Sequence, residues 1–449
     1  MGAFSKLFSR LRITSDPNVG TQTSAVIEAD STNSSLVLAP NGTGALVASI
    51  SDGTTTGGNA RGQYAVDFQR VRSVSSQVAG GTHVAILSGT NNEINASGFS
   101  VIVGGDSNYI QSGGFSYNHI GGGQSNQIYG QWINISGGRS NLGGGNANYS
   151  TISGGQGNQV LLSSHITIGG GNANIASSQY STISGGQSNT ASTNTHATVV
   201  GGQGNTSSGQ WSVTGGVSNT NSGSRGSLVV GYQNTNTEQG AFVSGQGNTN
   251  NGQYTLVSGL NNRVSQNFGA AIGTKSKSYL IGQNCIGNDF GSARGISANQ
   301  GDFQSSQFNL FNQDALLSGN TMLLNVYGYL TGTIPQVIPD GNNRMWNVQI
   351  DTIAVVTTIT GTATGVSVGD AYRETKQLLF KRVGGTSSIV GSVDTTAIKN
   401  DASLATCALT ITAGASQEMA LTFTGATFAG GGSVTMRIVS KVMLVEVAY

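Results

Sequence analysis

The sequence predicts an all-β protein in which a parallel β-solenoid shaft lies between a small N-terminal β-module and a C-terminal antiparallel β-sandwich or barrel. Three observations lead to this prediction. Gly supplies 69 of the 449 residues, whereas Asp, Glu, Lys and Arg together make up only 9%. A short unit rich in Gly and Asn recurs through the middle of the chain. Alternating apolar segments fill the last third.

The charge and cysteine content exclude several classes of protein. A formal net charge of +1 offers no general electrostatic attraction for nucleic acid, an anionic membrane surface or an acidic polymer. The cysteines, Cys285 and Cys407, are far apart and form no CxxC motif, so neither a disulfide framework nor a thiolate zinc site is expected. Lys6, Arg10 and Arg12 interrupt the first residues, and no 18-residue apolar run occurs, so we expect no secretory signal and no membrane insertion.

The N-terminal 80 residues are predicted to form a docking segment and a β-module. Phe4, Leu7, Phe8 and Leu11 have helical spacing, which favours a short amphipathic helix within residues 1–15 that docks on a larger assembly. A frayed chain start is the alternative. Residues 16–80 form the β-module, where Asn41-Gly42 between two apolar runs predicts a hairpin.

Residues 81–300 contain the repeat. Each unit is a small-residue run that closes in Asn, and the units follow one another at intervals of 14 to 18 residues. This length is too short for a helix pair but sufficient for two short strands and two turns, so each unit predicts one coil of a β-solenoid. The closing residues are Asn92, Asn108, Asn126, Asn141, Asn158, Asn174, Asn189, Asn205, Asn219, Asn234, Asn248 and Asn262.

Offsets from the closing Asn predict the faces of the coil. The positions six residues before it form a β-branched column that we expect inside the coil: Ile86, Ile102, Ile120, Ile135, Ile152, Ile168, Ile183, Val199 and Val213. The positions two residues after it are expected to face this column: Ile94, Ile110, Ile128, Val160, Ala176 and Ala191. Asn side chains are expected to hydrogen-bond along the solenoid axis.

A third column carries aromatic rings. Its members are His83, Phe99, Tyr117, Trp132, Tyr149, His165, Tyr180, His196, Trp211, Tyr254 and Phe268, and only the units that close in Asn234 and Asn248 lack a ring. An odd offset from the Ile column predicts that the rings lie on the opposite, outward face of an extended strand. Three roles stay open for them: a subunit interface, stacking on sugar rings, or plain surface variation.

Residues 301–449 have a different composition, with strand-like alternation separated by Gly, Asp and Asn. This pattern predicts an antiparallel sandwich or barrel, which we call the head.

Residues suited to catalysis are scarce. The four histidines fall on separate coils, so no metal site is expected within one chain. Glu93 and Asp106 lie on adjacent coils, and Glu238 lies apart from them. Gly365-Val-Ser-Val-Gly369 matches a nucleophile elbow but lacks a following helix and a downstream His. The acidic residues of the head have turn-like settings: Asp340, Asp351, Asp370, Glu374, Asp394 and Asp401. We therefore expect no enzymatic activity and no cofactor.

The repeat is similar to a known family of fibrous proteins. Gly-Gly-Gln-Ser-Asn-Thr-Ala-Ser at 185–192 and Tyr180-Ser-Thr-Ile-Ser-Gly resemble the head repeats of trimeric autotransporter adhesins, which also occur in bacteriophage tail fibres. This resemblance covers roughly 200 residues and implies a trimeric left-handed β-roll. The segment Ser35-Leu-Val-Leu-Ala-Pro-Asn-Gly-Thr-Gly-Ala-Leu46 also resembles phage fibre sequence. The sequence departs from the autotransporter pattern, since we expect no signal peptide, no heptad coiled-coil stalk and no membrane-anchor barrel.

The resemblance implies a homotrimeric tail fibre of a virion, made in the host cytoplasm. Its N-terminus would bind other virion proteins, and its head would bind a glycan or protein of the host surface. The glycan-stacking or trimer-interface candidates are Phe99, Tyr117, Trp132, Tyr149, Tyr180, Trp211, Tyr254 and Phe268. A bacterial trimeric surface adhesin, a tailspike polysaccharide depolymerase and a fibre without a receptor are the alternatives.

Overall fold

The computed structural model describes residues 11–14, 24–27, 44–288, 303–316, 319–324, 344–384, 386–413 and 419–448. Within these residues the chain is almost entirely β-structure, apart from the 3-10 helix Ala402–Leu404. No described helix has the length and apolar character needed to span a membrane.

A parallel β-solenoid of about 15 turns makes up most of the described chain. One edge of every coil contributes a strand to a first parallel ladder, in which consecutive coils pair in register. The strands are Leu46–Val47, Val66–Asp67, Ala85–Ile86, Val101–Ile102, His119–Ile120, Asn134–Ile135, Thr151–Ile152, Thr167–Ile168, Thr182–Ile183, Thr198–Gln203, Val213–Val217, Leu228–Tyr232, Phe242–Gln246, Leu256–Leu260, Ala270–Thr274 and Asn284–Asn288.

The opposite edge forms a second parallel ladder of 13 strands. These are Glu93–Ser97, Tyr109–Phe115, Gln127–Ile128, Leu142–Gly143, Gln159–Val160, Ile175–Ala176, Thr190–Ala191, Thr206–Ser207, Thr220–Asn221, Thr235–Asn236, Thr249–Asn250, Arg263–Val264 and Lys277–Ser278. At the corner between the two ladders, single parallel bridges join each coil to the next, such as the bridge between Gln156 and Asn172. The coil is therefore narrow, with strands of only two to seven residues in these ladders.

The interior contains the two apolar columns that the repeat predicts. Ile152 and Ile168 of the first column and Val160 of the second are fully buried, as are their counterparts from Ile86 to Val199. The prediction that Val213 belongs to the first column is wrong. Val199 pairs with Thr214, because the register of the two strands shifts after Val199, and Thr214 is the buried residue of this coil. In later coils the second column becomes polar, and buried Asn236 donates to Asn221 Oδ1 at 2.9 Å.

A ladder of buried asparagines joins the coils from Asn92 to Asn262. Each side-chain Oδ1 accepts the backbone N–H of the next Asn; for Asn174 and Asn189 the N···O distance is 3.0 Å. Each Nδ2 donates to a glycine or equivalent carbonyl of its own coil and of the next, as Asn174 does to Gly170 (2.9 Å) and Gly186 (3.0 Å). The predicted axial hydrogen bonding of Asn is confirmed.

Other residues substitute for Asn at the two ends of this ladder. Gln69 Oε1 accepts the N–H of Asn92 at 3.0 Å, so a longer amide side chain begins the series. Ser276 ends it, because its N–H donates to Asn262 Oδ1 at 2.8 Å. Asp67 continues the Ile86 column toward the N-terminus and is buried against Arg61 (2.8 Å) and Arg72 (3.3 Å).

The corners that precede the closing Asn require glycine. Gly155 has φ of +87°, and a Cβ on it would lie 2.1 Å from the carbonyl oxygen of Gly171. No side chain fits this contact, since the neighbouring coil's backbone cannot move away without breaking the ladder. The repeated Gly of the sequence therefore reflects close approach of adjacent coils as well as turn conformation.

Antiparallel sheets follow the solenoid at its C-terminal end. The last solenoid strand pairs with Phe303–Leu316, and the sheet continues through Gly432–Ala448, Arg344–Gly361, Ala371–Val383 and Thr386–Asn400. A smaller sheet contains Thr321–Leu323, Met419–Thr424 and Ala408–Ala413. Trp346, Phe380 and Phe423 are fully buried in the core between these strands.

The predicted fold class, an all-β parallel solenoid followed by antiparallel β-structure, is confirmed. Near the N-terminus, Leu11–Thr14 pairs antiparallel with Ser24–Ile27, so Leu11 of the proposed helix lies in a strand. The Asn41-Gly42 hairpin lies outside the described residues. Strands at Leu46–Val47 and Val66–Asp67 already belong to the parallel ladder; the domain boundaries at residues 15, 80 and 300 stay predictions.

We expect Asn174→Ala to lower stability strongly. The substitution removes the side-chain partner of the Asn189 N–H and of the Gly170 carbonyl in a buried site, at about 1–3 kcal/mol for each unsatisfied group. The Gly186 carbonyl loses one of its two donors and keeps the N–H of Asn172. Thermal unfolding followed by circular dichroism measures the effect. The control is the same substitution at half-buried Asn172, and equal melting temperatures for the two variants would contradict the role of the ladder.

Candidate functional site

The aromatic column that the sequence singled out lies at a corner of the coil. Tyr149, Tyr180 and Trp211 have φ of 55°, 58° and 53°, in the left-handed region, as do most other members. Phe99 and Tyr117 do not have a left-handed φ. For Phe99 the preceding residue, Gly98, has the positive φ instead. The prediction of an extended strand for these positions is therefore wrong, because the ring offset reflects a tight turn.

The rings stack on one another along the solenoid. Centroids of neighbouring rings are 4.7 to 6.2 Å apart in an unbroken series from Tyr64 through His83 to Trp211. Trp132 and Tyr149 are nearly parallel, at 4.8 Å and 7°. A second, shorter stack joins Tyr254 and Phe268 at 5.7 Å and 8°. The spacing follows from the coil repeat, since adjacent strands lie about 4.8 Å apart.

Stacking decides which part of each ring is accessible. Phe99, Tyr149 and Trp211 are each about half exposed, so the rings do point outward. Their faces, however, cover one another, and mainly ring edges reach the solvent. Sugar stacking requires a free ring face, which the interior of the stack does not offer. The interface and glycan roles of Phe99, Tyr117, Trp132, Tyr149, Tyr180, Trp211, Tyr254 and Phe268 stay predictions.

The two shaft carboxylates on adjacent coils have opposite environments. Asp106 accepts hydrogen bonds from Thr90 Oγ1 (2.8 Å) and Asn91 Nδ2 (3.0 Å), and these bonds lower the pKa of its carboxyl. Partial burial raises the pKa of Glu93, although Ser76 donates to it at 3.2 Å. Such a divergence is a known feature of paired acidic groups with separate acid and base roles.

The described carboxylates of the head have structural partners. Glu374 accepts from Tyr372 Oη at 2.7 Å and from the backbone N–H of Leu409, while Lys376 lies 2.8 Å away. Glu446 is paired with Arg344, and burial raises its pKa. Asp370, Asp394 and Asp401 bind nearby Ser or backbone groups, and Asp351 binds Thr375. Asp340 lies outside the described residues.

Within the described part of the chain, no group of three or more His, Cys, Asp or Glu side chains has the arrangement of a metal site. His165 and His196 take part in the ring stack, and His119 Nδ1 lies 3.2 Å from Asn134 Oδ1.

The outer face of the first ladder carries an apolar surface that the sequence analysis did not identify. In the last coils the ladder strands lengthen to five residues, and alternate side chains point outward. Leu256 is 40% exposed and lies in register with Phe242 and Ala270. We call this surface the apolar sheet face; its exposed members are Tyr232, Phe242, Leu256, Leu260, Ile272 and Ile286. Alternation within these short strands is the signal that identifies it.

Comparison with solved structures finds bacteriophage tailspike proteins. The Acinetobacter baumannii phage AM24 tailspike matches with a TM-score of 0.22 and 8% identity, over 88% of this chain and 68% of that chain. The tailspike gp49 of A. baumannii bacteriophage Fri1, a capsular polysaccharide depolymerase, matches with a TM-score of 0.19 and 8% identity, over 88% and 70%. No family model and no curated protein matches.

These matches contradict one prediction from the sequence. We expected no enzymatic activity, but the Fri1 tailspike is named as a depolymerase, so absence of catalysis is not retained. The scarcity of acidic residues was a weak basis for that expectation, because two carboxylates suffice for glycoside hydrolysis.

We expect both thiols to be unreactive in the folded protein. Burial raises the pKa of Cys407 to about 12 and raises that of Cys285 further, so neither is a thiolate at pH 8. Titration with a chromogenic disulfide should give no rapid reaction with native protein and reaction of both thiols after unfolding in guanidinium. Rapid reaction of either native thiol at pH 8 would contradict this assignment.

Proposed function

We propose that this chain is a virion protein of a bacteriophage, of the tail-fibre or tailspike type, that binds polysaccharide on the surface of the host. The observation that carries the proposal is the long parallel solenoid with an almost uncharged shaft: residues 140–224 contain no Asp, Glu, Lys or Arg. Such a rod suits a spacer with repeated binding surfaces better than an enclosed small-molecule site.

We further propose that three copies associate through the apolar sheet face. Tyr232, Phe242 and Leu256 are each about two-fifths exposed in one chain, and none of the strands of this face from Val213 to Asn288 contains a charged residue. An exposed apolar sheet of this kind favours contact with another protein surface. Identical copies provide a matching uncharged surface, and three copies add avidity to weak receptor binding.

The same proposal includes attachment to other virion proteins through residues 1–15. It also includes contact of the head with the host. Its test uses the purified full-length protein as a competitor for adsorption of the phage that encodes it. We expect saturating protein to reduce adsorption, and unchanged adsorption would contradict a receptor-binding role.

Cleavage of the bound polysaccharide is the second candidate function. The observation that favours it is that adjacent coils carry two carboxyl groups whose pKa values shift in opposite directions, upward for Glu93 through partial burial and downward for Asp106 through hydrogen bonds. In this arrangement Glu93 would supply the proton and Asp106 would stay ionised, as in acid hydrolysis of a glycosidic bond.

We expect Leu256→Glu to disrupt the trimer. The full-length protein should have a solution mass near three times 45.7 kDa by light scattering. A carboxylate at the centre of the apolar sheet face would be buried without a partner in the trimer, so the variant should be monomeric. The control is Leu162→Glu, because Leu162 is exposed in a bend after the second-ladder strand Gln159–Val160 and is not part of the apolar sheet face. A monomeric parent protein, or a trimeric Leu256→Glu variant, would contradict this interface.

We expect Glu93→Gln to lower polysaccharide cleavage by about 100-fold or more, the usual effect of removing a general acid. The measurement is release of reducing ends from host capsule, with Asp394→Asn of the C-terminal sheet as a matched control. If the parent protein releases no reducing ends, the cleavage proposal fails while receptor binding can still stand. Full activity of Glu93→Gln would exclude Glu93 as the acid.

A further inference from the structure

The ring stack is interrupted at one place in the shaft. It runs without a break to Trp211, stops for two coils, and resumes at Tyr254. The two intervening corner positions are Gly226 and Gly240, with φ of +53° and +66°. We call this interval the ring gap (Trp211, Gly226, Gly240 and Tyr254).

The backbone that forms the floor of the ring gap is continuous. Gly226 N–H donates to the Gln210 carbonyl at 2.9 Å, and Gly240 N–H donates to the Arg225 carbonyl at 2.8 Å, as at other corners. Trp211 and Tyr254 are three coils apart, or about 14 Å at the usual strand spacing. The ring of Tyr254 covers Gly240, whereas a Cβ on Gly226 would meet no atom within 4 Å. The open part of the ring gap therefore lies above Gly226.

A free ring face borders this opening. Inside the stack each ring is covered on both sides, but Trp211 stacks on His196 on one side only. Tyr254 stacks on Phe268 on one side and lies against Gly240 on the other. A flat ring that enters above Gly226 can therefore stack on the indole face of Trp211. The spacing of the stack, 4.7 to 6.2 Å between centroids, is that of a ring in van der Waals contact.

Charge is concentrated at the same place. Between Arg139 and Arg263 the sequence contains only two charged residues, Arg225 and Glu238, and both belong to the coils that lack a ring. Glu238 accepts from Gln253 Nε2 at 3.3 Å. Arg225 is exposed, and its guanidinium forms no hydrogen bond or ion pair within the described part of the chain.

Neutral amides flank the rings at this level. Gln239 Nε2 donates to Tyr254 Oη at 3.3 Å and to Gln253 Oε1 at 3.3 Å. Arg225 occupies the position before Gly226 that Gln239 occupies before Gly240, so it lies next to the ring column. Amides provide both donors and acceptors for hydroxyl groups, and a guanidinium pairs with a carboxylate.

We propose that the ring gap binds a carboxylated sugar residue of an acidic polysaccharide. The sugar ring stacks against Trp211 above Gly226, its carboxylate pairs with Arg225, and its hydroxyls bond to Gln239 and neighbouring amides. The neutral amides match the hydroxyl groups of a sugar, and binding of a polynucleotide is the alternative outcome of the test. The net charge of +1 gives no general attraction for any polyanion, so pairing with Arg225 supplies the preference for a carboxylate. This inference rests on the proposed function and names the site and the class of polysaccharide.

The test fills the gap. Gly226 already has the left-handed φ that Tyr149 and Tyr180 adopt, so Gly226→Tyr restores a ring without steric conflict. Full-length parent and variant proteins are applied to an array of uronate-containing and neutral bacterial polysaccharides, with poly(dT) included. We expect the parent to bind at least one uronate-containing member and Gly226→Tyr to weaken this binding by about tenfold or more.

Two further variants separate the parts of the site. Arg225→Gln should weaken binding of the uronate-containing member by about tenfold and remove its preference over neutral members. Tyr149→Ala, a ring deletion inside the stack, should leave binding within about twofold of the parent because no charged residue lies beside it.

Several outcomes would overturn the proposal. If Gly226→Tyr binds as the parent does, the polysaccharide site lies elsewhere, and the proposed function stands without this one. Loss of poly(dT) binding in Gly226→Tyr would assign the gap to nucleobases. Failure to bind any uronate-containing member also overturns it. If light scattering shows that Gly226→Tyr dissociates the trimer, the gap holds a side chain of a second copy.

Discussion

The hydrogen-bonded asparagine ladder is the interaction on which the rest of the structure depends. A coil of 14 to 18 residues encloses only a few apolar side chains, too few to define its conformation by packing alone. Each buried Asn instead connects two coils by bonding to backbone groups of both, for example Asn174 with Gly170 and Gly186. Because buried amides must be satisfied, the ladder sets the register of each coil on the next.

A fixed register makes the surface periodic, and the periodicity explains the functional features. At the ring corner most coils have the same left-handed backbone, and residues there lie one above another, so their aromatic side chains stack. The same periodicity means that omission of a ring at Gly226 leaves a vacancy of defined size rather than an irregular surface. A gap in a regular stack is therefore a specific feature of this chain, and its coincidence with Arg225 and Glu238 connects it to ligand chemistry.

The core composition changes along the shaft, and the composition of its outer surface changes with it. The first interior column stays mostly apolar, at Val229, Val243 and Val257. The second column changes from Ile and Val in the early coils to Asn221 and Asn236 in later ones, where hydrogen bonds replace part of the apolar packing. In those later coils the outward positions of the first ladder become apolar instead, at Phe242, Leu256 and Ile272. Apolar area that one chain leaves exposed is available for contact between chains.

The sequence by itself determined the solenoid, its interior columns and the axial Asn bonds, because constant offsets from Asn92 to Asn262 define positions in any stacked coil. It also identified the ring column and the two coils without a ring. Only the tertiary structure decided that the rings lie at left-handed corners, that their faces cover one another, and that Thr214 replaces Val213 inside. Offsets from the closing Asn predict which residues share a column. The backbone dihedral angles at each corner decide where a side chain points, and contacts between coils decide which part of it is exposed.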